Sequence, residues 1–425
     1  MKMYIVVFIF VTLLVKIDGS ASRICLSSKE EAKPRIGLFV SPVISRSIIH
    51  EIEIYWNNVD YRKGDSIAIF TKTPGNDVVP IYTSELNGPR GSKKTGIQAE
   101  FLPRSDHQFV KQCLKYHVAW LRDGIIKETN CLQTQPNWMH ERRKILGPLT
   151  MSKVFLPGTH NSASYALHER PGVENFIEKY AITQDIDILT QLIYGVRYLD
   201  IRVGHYPLSE EIWFTNHGIY RSVPLKTVLD QVKTFLDNTE EIIIFDVQEF
   251  PVGFRNNISV HHALVMFLEK EFAGYLIPNN YGWTSTLNSI WSSGKRLIIG
   301  YDEPQVVARY ESVWPCVVHQ WGNVRNVDDL FNYLDRIETA NRMKNRLTPR
   351  SAMAELTPNT FDVILNRLGG LRVMAESVNL NVTNWYTTLW QYSANVVAVD
   401  FVRSSGIIET AIEANEKRNR NCPLL

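Results

Sequence analysis

Two hydrophobic patterns divide the chain. Between about Arg23 and Lys144, short apolar runs recur between Asp, Gly, Asn and Pro turn signals. Ile36 to Val40, Ile52 to Trp56, Ser66 to Phe70, Gly96 to Phe101, Tyr116 to Trp120 and Gly124 to Ile126 read as strands. Their spacing predicts a smaller all-β, sandwich-like domain over 23–144. Pro89 to Lys94 reads as an exposed loop, and Gln133 to Arg143 as a polar link.

From Gly147 the period changes. Helix-like segments run from Ile186 to Tyr194, Leu225 to Leu236, Val260 to Phe272, Val327 to Asn345, Pro358 to Arg367 and Gly406 to Lys417. Between them lie strand-like runs, Glu241 to Val247, Arg296 to Tyr301, Cys316 to His319, Ala352 to Glu355 and Asn395 to Asp400. Three more open the region: Val154 to Leu156, Gly195 to Arg202 and Ile212 to Phe214. Alternation of this kind predicts a parallel β/α architecture, and a (β/α) barrel over 147–425 is the leading choice.

One regularity favours the barrel over an open sheet. Strand after strand ends in a polar or ionisable residue: His160, Asp200 with Arg202, His217, Asp246 with Gln248, Tyr301, Glu355 and Asp400. In a barrel those ends converge on one mouth. Any single polar strand end is cheap, because strands end at the surface; the repetition shifts the odds.

Composition changes little. A formal net charge of +2 with scattered Lys and Arg gives no reason to expect nucleic acid. The N-terminus adds more. A short apolar core, Tyr4 to Val15, followed by Asp18 to Ser22, reads as a secretory signal over residues 1–21. The run is shorter than the ~20 residues a membrane span needs. Five cysteines suit an oxidising, extracellular compartment. Cys113 and Cys131 are the best candidates for a disulfide; Cys25 and Cys422 can pair or stay free, and Cys316 reads as a buried thiol. Asn257 to Ser259 and Asn381 to Thr383 are N-glycosylation sequons.

The candidate chemistry sits between Lys153 and Gly218. His160 and His217 each end a strand, and Asp200 and Arg202 are two apart, so both face one side of theirs. A base, an acid and a fixed cation are what phosphodiester cleavage requires. A lone turn histidine is usually solvated or structural, and His168, His205, His261, His262 and His319 read as structural.

Leu156 to Ser162, Gly195 to Arg202, Asn216 to Gly218 and Glu241 to Phe250 together resemble the phosphatidylinositol-specific phospholipase C X-domain family, in order and at suitable spacing. The resemblance covers about Gly147 to Ser405 and is thinner beyond Phe254. It implies a distorted TIM barrel acting on a phospholipid at a membrane surface, in a secreted form. His160 matches a general base that deprotonates the inositol 2-hydroxyl, and His217 a general acid for the departing diacylglycerol oxygen. Asp400 matches a carboxylate that orients the base. Asn161, Asp246, Gln248 and Tyr301 are the candidates for substrate contact.

The resemblance also bears on metal. Calcium-dependent members carry an acidic ligand at the position of Arg202 and a glutamate at that of Gln248, whereas metal-independent bacterial members carry arginine at the first. The chain is therefore expected to need no metal or other cofactor, the guanidinium supplying the charge. Asn161 departs from the bacterial aspartate, so that either the acid step is weaker or Asp200 or Asp246 supplies the missing negative charge. Two other readings remain: a non-catalytic secreted headgroup-binding protein, and a metal-dependent phosphodiesterase on the same barrel. The second needs a Glu-x-Asp pair, which Asp200-Ile201-Arg202 does not provide. Tyr281 to Trp283 and Tyr386 to Trp390 carry aromatics that either touch lipid or pack in the core.

Overall fold

The computed structural model describes residues 33–44, 50–75, 77–100, 108–165, 174–255, 257–343 and 347–421. The signal over 1–21, the thiols Cys25 and Cys422, and His168 fall outside these residues.

Seven strands come first: β1 (Arg35–Val40), β2 (Glu51–Asn57), β3 (Ser66–Phe70), β4 (Tyr82–Glu85), β5 (Gly91–Gln98), β6 (Cys113–Arg122) and β7 (Ile125–Gln133). They form two antiparallel sheets, in the orders β1-β2-β5 and β4-β3-β6-β7. Alternating residues from both, among them Leu38, Ile52, Ile54, Ile67, Val118 and Trp120, share one apolar core. A Cys113–Cys131 disulfide ties β6 to β7. Two expectations fail here. Gly91 to Lys94 belongs to β5 rather than to a loop, since its backbone pairs with β2 from Glu53 to Trp56. The stretch after Gln133 is not a solvated link: Thr134, Gln135, Trp138 and Met139 are buried.

The second region is built on eight parallel strands: β8 (Leu156–Thr159), β9 (Tyr198–His205), β12 (Ile243–Val252), β13 (Leu297–Tyr301), β14 (Val313–Pro315), β15 (Val318–Trp321), β16 (Arg350–Met353) and β17 (Val396–Val399). Their spatial order is β14-β13-β12-β9-β8-β17-β16-β15. The sheet curls strongly enough for Tyr198 of β9 to reach His319 of β15, with 2.7 Å between Oη and Nε2. Among the described residues no ladder joins β14 to β15, so the barrel is open along that seam. Helices, chiefly Leu225–Asn238, Ile258–Glu271, Val327–Met343, Leu371–Thr388 and Ile407–Asn421, accompany the strands. Ile243 to Val247 are buried without alternation, as expected for a strand covered on both faces.

Two further differences from the sequence reading have physical causes. The third run is not a stave of the barrel. It forms β10 (Trp213–His217), antiparallel to β9 and hairpinned to β11 (Tyr220–Pro224), so the chain turns back from His205 toward Arg202. The 18-residue helix Leu371–Thr388 escaped notice because its buried face carries Arg372, Asn379 and Thr383 among its apolar residues, which blurs the period. Within the aromatic stretches left open, Trp283, Tyr386 and Trp390 are core residues, and Cys316 is half-buried.

Arg197 anchors the far end of β9 from the mouth. Fully buried, it pairs with Glu241 at 2.6 Å and donates to the carbonyls of Leu192, Val196, Gln135 and Pro136. Glu241 also accepts from the backbone N–H groups of Met139 and His140. Satisfying every group in this way is what makes a buried ion pair tolerable.

Candidate active site

Seven chain segments bring polar side chains to the C-terminal ends of the parallel strands. His160 follows β8 directly, and Asp400 follows its parallel neighbour β17, so their side chains meet although 240 positions separate them. His160 Nδ1 lies 2.8 Å from Asp400 Oδ1. The next residue after each, Asn161 and Phe401, has positive φ, 38° and 48°. These left-handed turns divert the chain as soon as the functional side chain has been presented; Asn accepts that conformation more readily than Phe.

Arg202 stands on the other side of His160. Its guanidinium lies 2.9 Å from His160 Nε2, 3.3 Å from Asp200 and 3.3 Å from Glu249. Since Arg can only donate, Nε2 is the acceptor and Nδ1–H donates to Asp400. Burial pulls the His160 imidazole down, but the carboxylates of Asp400 and Glu355 outweigh it and raise it to about 9. His160 is thus strongly basic, and it is in its neutral form, with Nδ1–H on Asp400, that Arg202 covers the Nε2 lone pair.

His217 arrives from the hairpin. Its Nδ1 lies 2.8 Å from the carbonyl of Ala181 and therefore carries the proton, and its ring centroid is 5.9 Å from that of His160, nearly perpendicular. Burial, then the charges of Arg202 and His160, lower it to about 3. The two histidines are thus driven apart in basicity, His160 by the carboxylates beside it and His217 by burial and the cations beside it.

The carboxylates divide as well. Asp200 accepts from Asn161 N at 2.8 Å and faces Arg202; burial opposes its charge, but Arg202, His319 and His160 hold it well below the carboxylate range. Asp246, at the same level on β12, instead turns to Tyr198 Oη at 2.7 Å and Gln248 Nε2 at 2.6 Å, and burial raises it to about 7. It lies over Gly300, where an added Cβ would come within 1.9 Å of its Oδ1. Asp200, then, is the negative partner of Arg202, and Asp246 is not. Gln248 is held to Val317 O at 2.7 Å.

Tyr301 lies elsewhere. Parallel register pairs Asp246 with Gly300 and Val247 with Tyr301, so Tyr301 faces away from the mouth. Its hydroxyl meets His261 Nδ1 at 3.0 Å, and its ring packs on Phe250.

Two more residues belong here: His319, which the sequence reading leaves structural, and Glu355, which it names as a polar strand end without a role. His319 contacts Tyr198 and senses Asp200, Arg202 and His160; burial is the main reason it is lowered to about 4. Glu355, only 4% exposed, has both carboxylate oxygens without a hydrogen-bond partner, and burial raises it to about 7. Both ended strand-like runs, the signal that singled out Asp400. Asn161 is also fully buried with both side-chain polar atoms unpartnered. Two polar side chains without partners beside one imidazole are the mark of a site built for a polar ligand.

Comparison with known proteins agrees. No protein-family model matches the chain. It is similar to PI-PLC X domain-containing protein 1 of Homo sapiens, at 24% identity over 68% of this chain and 94% of the relative. The mouse protein 1 is 23% identical over 67% of this chain and 87% of the relative, and mouse PI-PLC X domain-containing protein 2 is 26% identical over 66% and 87%. Among solved structures, a phosphatidylinositol-specific phospholipase C from Staphylococcus aureus superposes with a TM-score of 0.52 at 14% identity, over 66% of this chain and 97% of that one. The fold is that of the distorted TIM barrel, and the resemblance carried by the motifs is borne out.

Proposed function

We propose that the protein is a phospholipase C-type phosphodiesterase that cleaves inositol phospholipids by intramolecular attack. The observation that carries this reading is the Asp400–His160–Arg202 line with His217 beside it. A substrate phosphate takes the N–H groups that Arg202 gives to His160, which frees Nε2. His160 then removes the proton of the inositol 2-hydroxyl, and its oxygen bonds to phosphorus. The bond from phosphorus to the glycerol oxygen breaks, and that oxygen takes a proton from His217 Nε2, which the imidazole takes up from solvent when the anionic phosphate binds beside it. The products are diacylglycerol and a cyclic inositol phosphate.

In this reading Arg202, fixed by Asp200, carries the charge stabilisation that a cation would otherwise supply. Asn161 is no obstacle, because Asp200 provides the carboxylate. Phosphatidylinositol vesicles should release diacylglycerol with a chelator present; loss of turnover on chelation would sink the metal-independent mechanism. His160→Ala and His217→Ala should each reduce turnover by roughly 10²–10⁴-fold with the fold intact.

A membrane-resident substrate is supported by the rim. Exposed Phe176 and Ile177 follow β8, Trp321 ends β15, and Phe361, Ile364 and Leu365 follow β16. Tyr180 Oη to Asn366 Oδ1, at 3.0 Å, links the first group to the last. Secretion fits the Cys113–Cys131 disulfide, and exposed Asn257 is the more accessible sequon.

One observation favours a second reading. A His217 lowered to about 3 is neutral at pH 7 and has no proton to give in the free protein. If inositol lipid binds and is not cleaved, the protein is a headgroup-binding one.

A further inference from the structure

Five residues, Ala181 to Asp185, lie behind both histidines and the strand end that bears Asp400. Ala181 O receives His217 Nδ1–H. Thr183 Oγ1 donates to Asn161 O at 2.9 Å, and Thr183 O accepts from Phe401 N at 2.8 Å. Gln184 Nε2 bridges His160 O at 3.2 Å and Val399 O at 3.0 Å, while its Oε1 accepts from Val402 N. Both histidines and the strand end bearing Asp400 therefore hang on one buried segment.

That segment is itself gripped at Asp185, by Arg403 from the barrel region and by His50 from the N-terminal sheets. The Asp185 carboxylate pairs with Arg403 at 2.6 Å and with His50 Nδ1 at 3.3 Å. His50 closes the connection between β1 and β2 and is 1% exposed. The start of the same connection is fixed by Arg372, whose NH1 donates to Pro42 O at 3.1 Å while Nε donates to Glu174 at 2.6 Å, and by Ser41 Oγ on Glu376 at 2.9 Å. The charged groups that act on His50 are Asp185, Arg403 and Arg372, and burial keeps its imidazole low, at about 4. A neutral imidazole inserted against a buried carboxylate, at the end of a chain connection from another sheet, is a costly arrangement to maintain for packing alone.

We propose that the β1–β2 connection, through His50 on Asp185, positions the catalytic histidines. His50 and Asp185 touch no reacting atom; they set where Ala181 to Gln184 lie, and with them the separation of His160 from His217. The N-terminal sheets are then a working part of the site rather than a separate helper module. The inference rests on the phosphodiesterase reading for its kinetic test and not for its structural one.

His50 has a φ of 56°, so alanine there would add backbone strain to the lost contact. His50→Gly removes the contact without that strain, and His50→Asn keeps a polar side chain within reach of Asp185 and tolerates the conformation. On a water-soluble inositol phosphodiester, His50→Gly should lower kcat roughly 10- to 100-fold, the cost of misplacing a reacting group by about 1 Å. KM should stay unchanged, and His50→Asn should restore most of kcat. The imidazole ¹⁵N resonances of His160 and His217 should both move in His50→Gly and return in His50→Asn, whether or not any substrate is turned over. Should His50→Gly fail to fold, Arg372→Lys, which keeps the charge and loses one of the two contacts, should move the same resonances. Unmoved histidine resonances in a folded variant overturn the proposal, as does an unchanged kcat. A wild-type protein that cleaves nothing overturns the phosphodiesterase reading alone.

Discussion

Arg202 places a guanidinium nitrogen 2.9 Å from Nε2 of His160, covering the lone pair that would take a proton. Substrate phosphate is what can draw that nitrogen away, so binding and unmasking of the base become one event. Arg202→Lys keeps a positive charge and loses the planar fork, one nitrogen of which reaches both Asp200 and the imidazole and the other Glu249. Expected is a fall in kcat on the order of 10²–10³-fold, the range for losing one fixed donor to developing charge. Steady-state kinetics on phosphatidylinositol vesicles check it; a lysine variant with full kcat would remove Arg202 from the chemistry.

The histidines make a pH prediction. In the free protein His217 is lowered to about 3, by burial first and then by Arg202 and His160, so it should stay neutral down to about that pH. An anionic ligand beside Arg202 opposes both charges and favours the imidazolium. Its pKa must therefore rise on binding, and the acidic limb of kcat should lie above the acidic limb of kcat/KM. A ¹⁵N titration of His217 with and without a soluble inositol phosphodiester reads this directly. A His217 pKa that is unmoved, or lowered, by the ligand contradicts the assignment of general acid.

Glu355 makes a prediction about stability. Its folded-state value is about 7 against an ordinary 4.5, with burial the first cause. A raised carboxyl favours the fold below the unfolded value and loses that contribution as pH climbs to the folded value. The window is therefore about 4.5 to 7, with the penalty fully present above it. Glu355→Gln removes the ionisation and should raise thermal stability at pH 8 more than at pH 4.5, by an amount on the order of a few kcal/mol. Melting curves of both proteins at the two pH values test it; an equal shift at both would show that Glu355 carries no ionisation penalty.

What the sequence revealed and what it hid follow from how local each signal was. The turn after His160, the Asp200/Arg202 period and the strand ending at Asp400 are each contained within a few residues, and all reach the mouth. The β10 hairpin was mistaken for a stave because a short apolar run looks the same in either direction; only the register against β9 distinguishes them. Glu355 and His319 stood at strand ends like the rest, but their worth depends on what lies across the barrel. The burial of residues 134–139 was invisible because Glu241 and Arg197, which hold them, come later in the chain.

Tyr301 shows the same limit at a single position. A polar strand end suggested a substrate contact, yet on β13 the alternation gives the inward place to Gly300, opposite Asp246, and turns Tyr301 outward onto His261 and Phe250. Tyr301→Phe should therefore leave kcat and KM within twofold of the parent. It should cost about 1 kcal/mol of stability, the net worth of one hydrogen bond. His261→Ala removes the other partner and leaves the buried hydroxyl unsatisfied, so it should cost more, about 1–3 kcal/mol, again with kcat retained. Denaturant unfolding and vesicle kinetics on the two variants decide it. A KM that rises severalfold in Tyr301→Phe with stability unchanged would return Tyr301 to the substrate site.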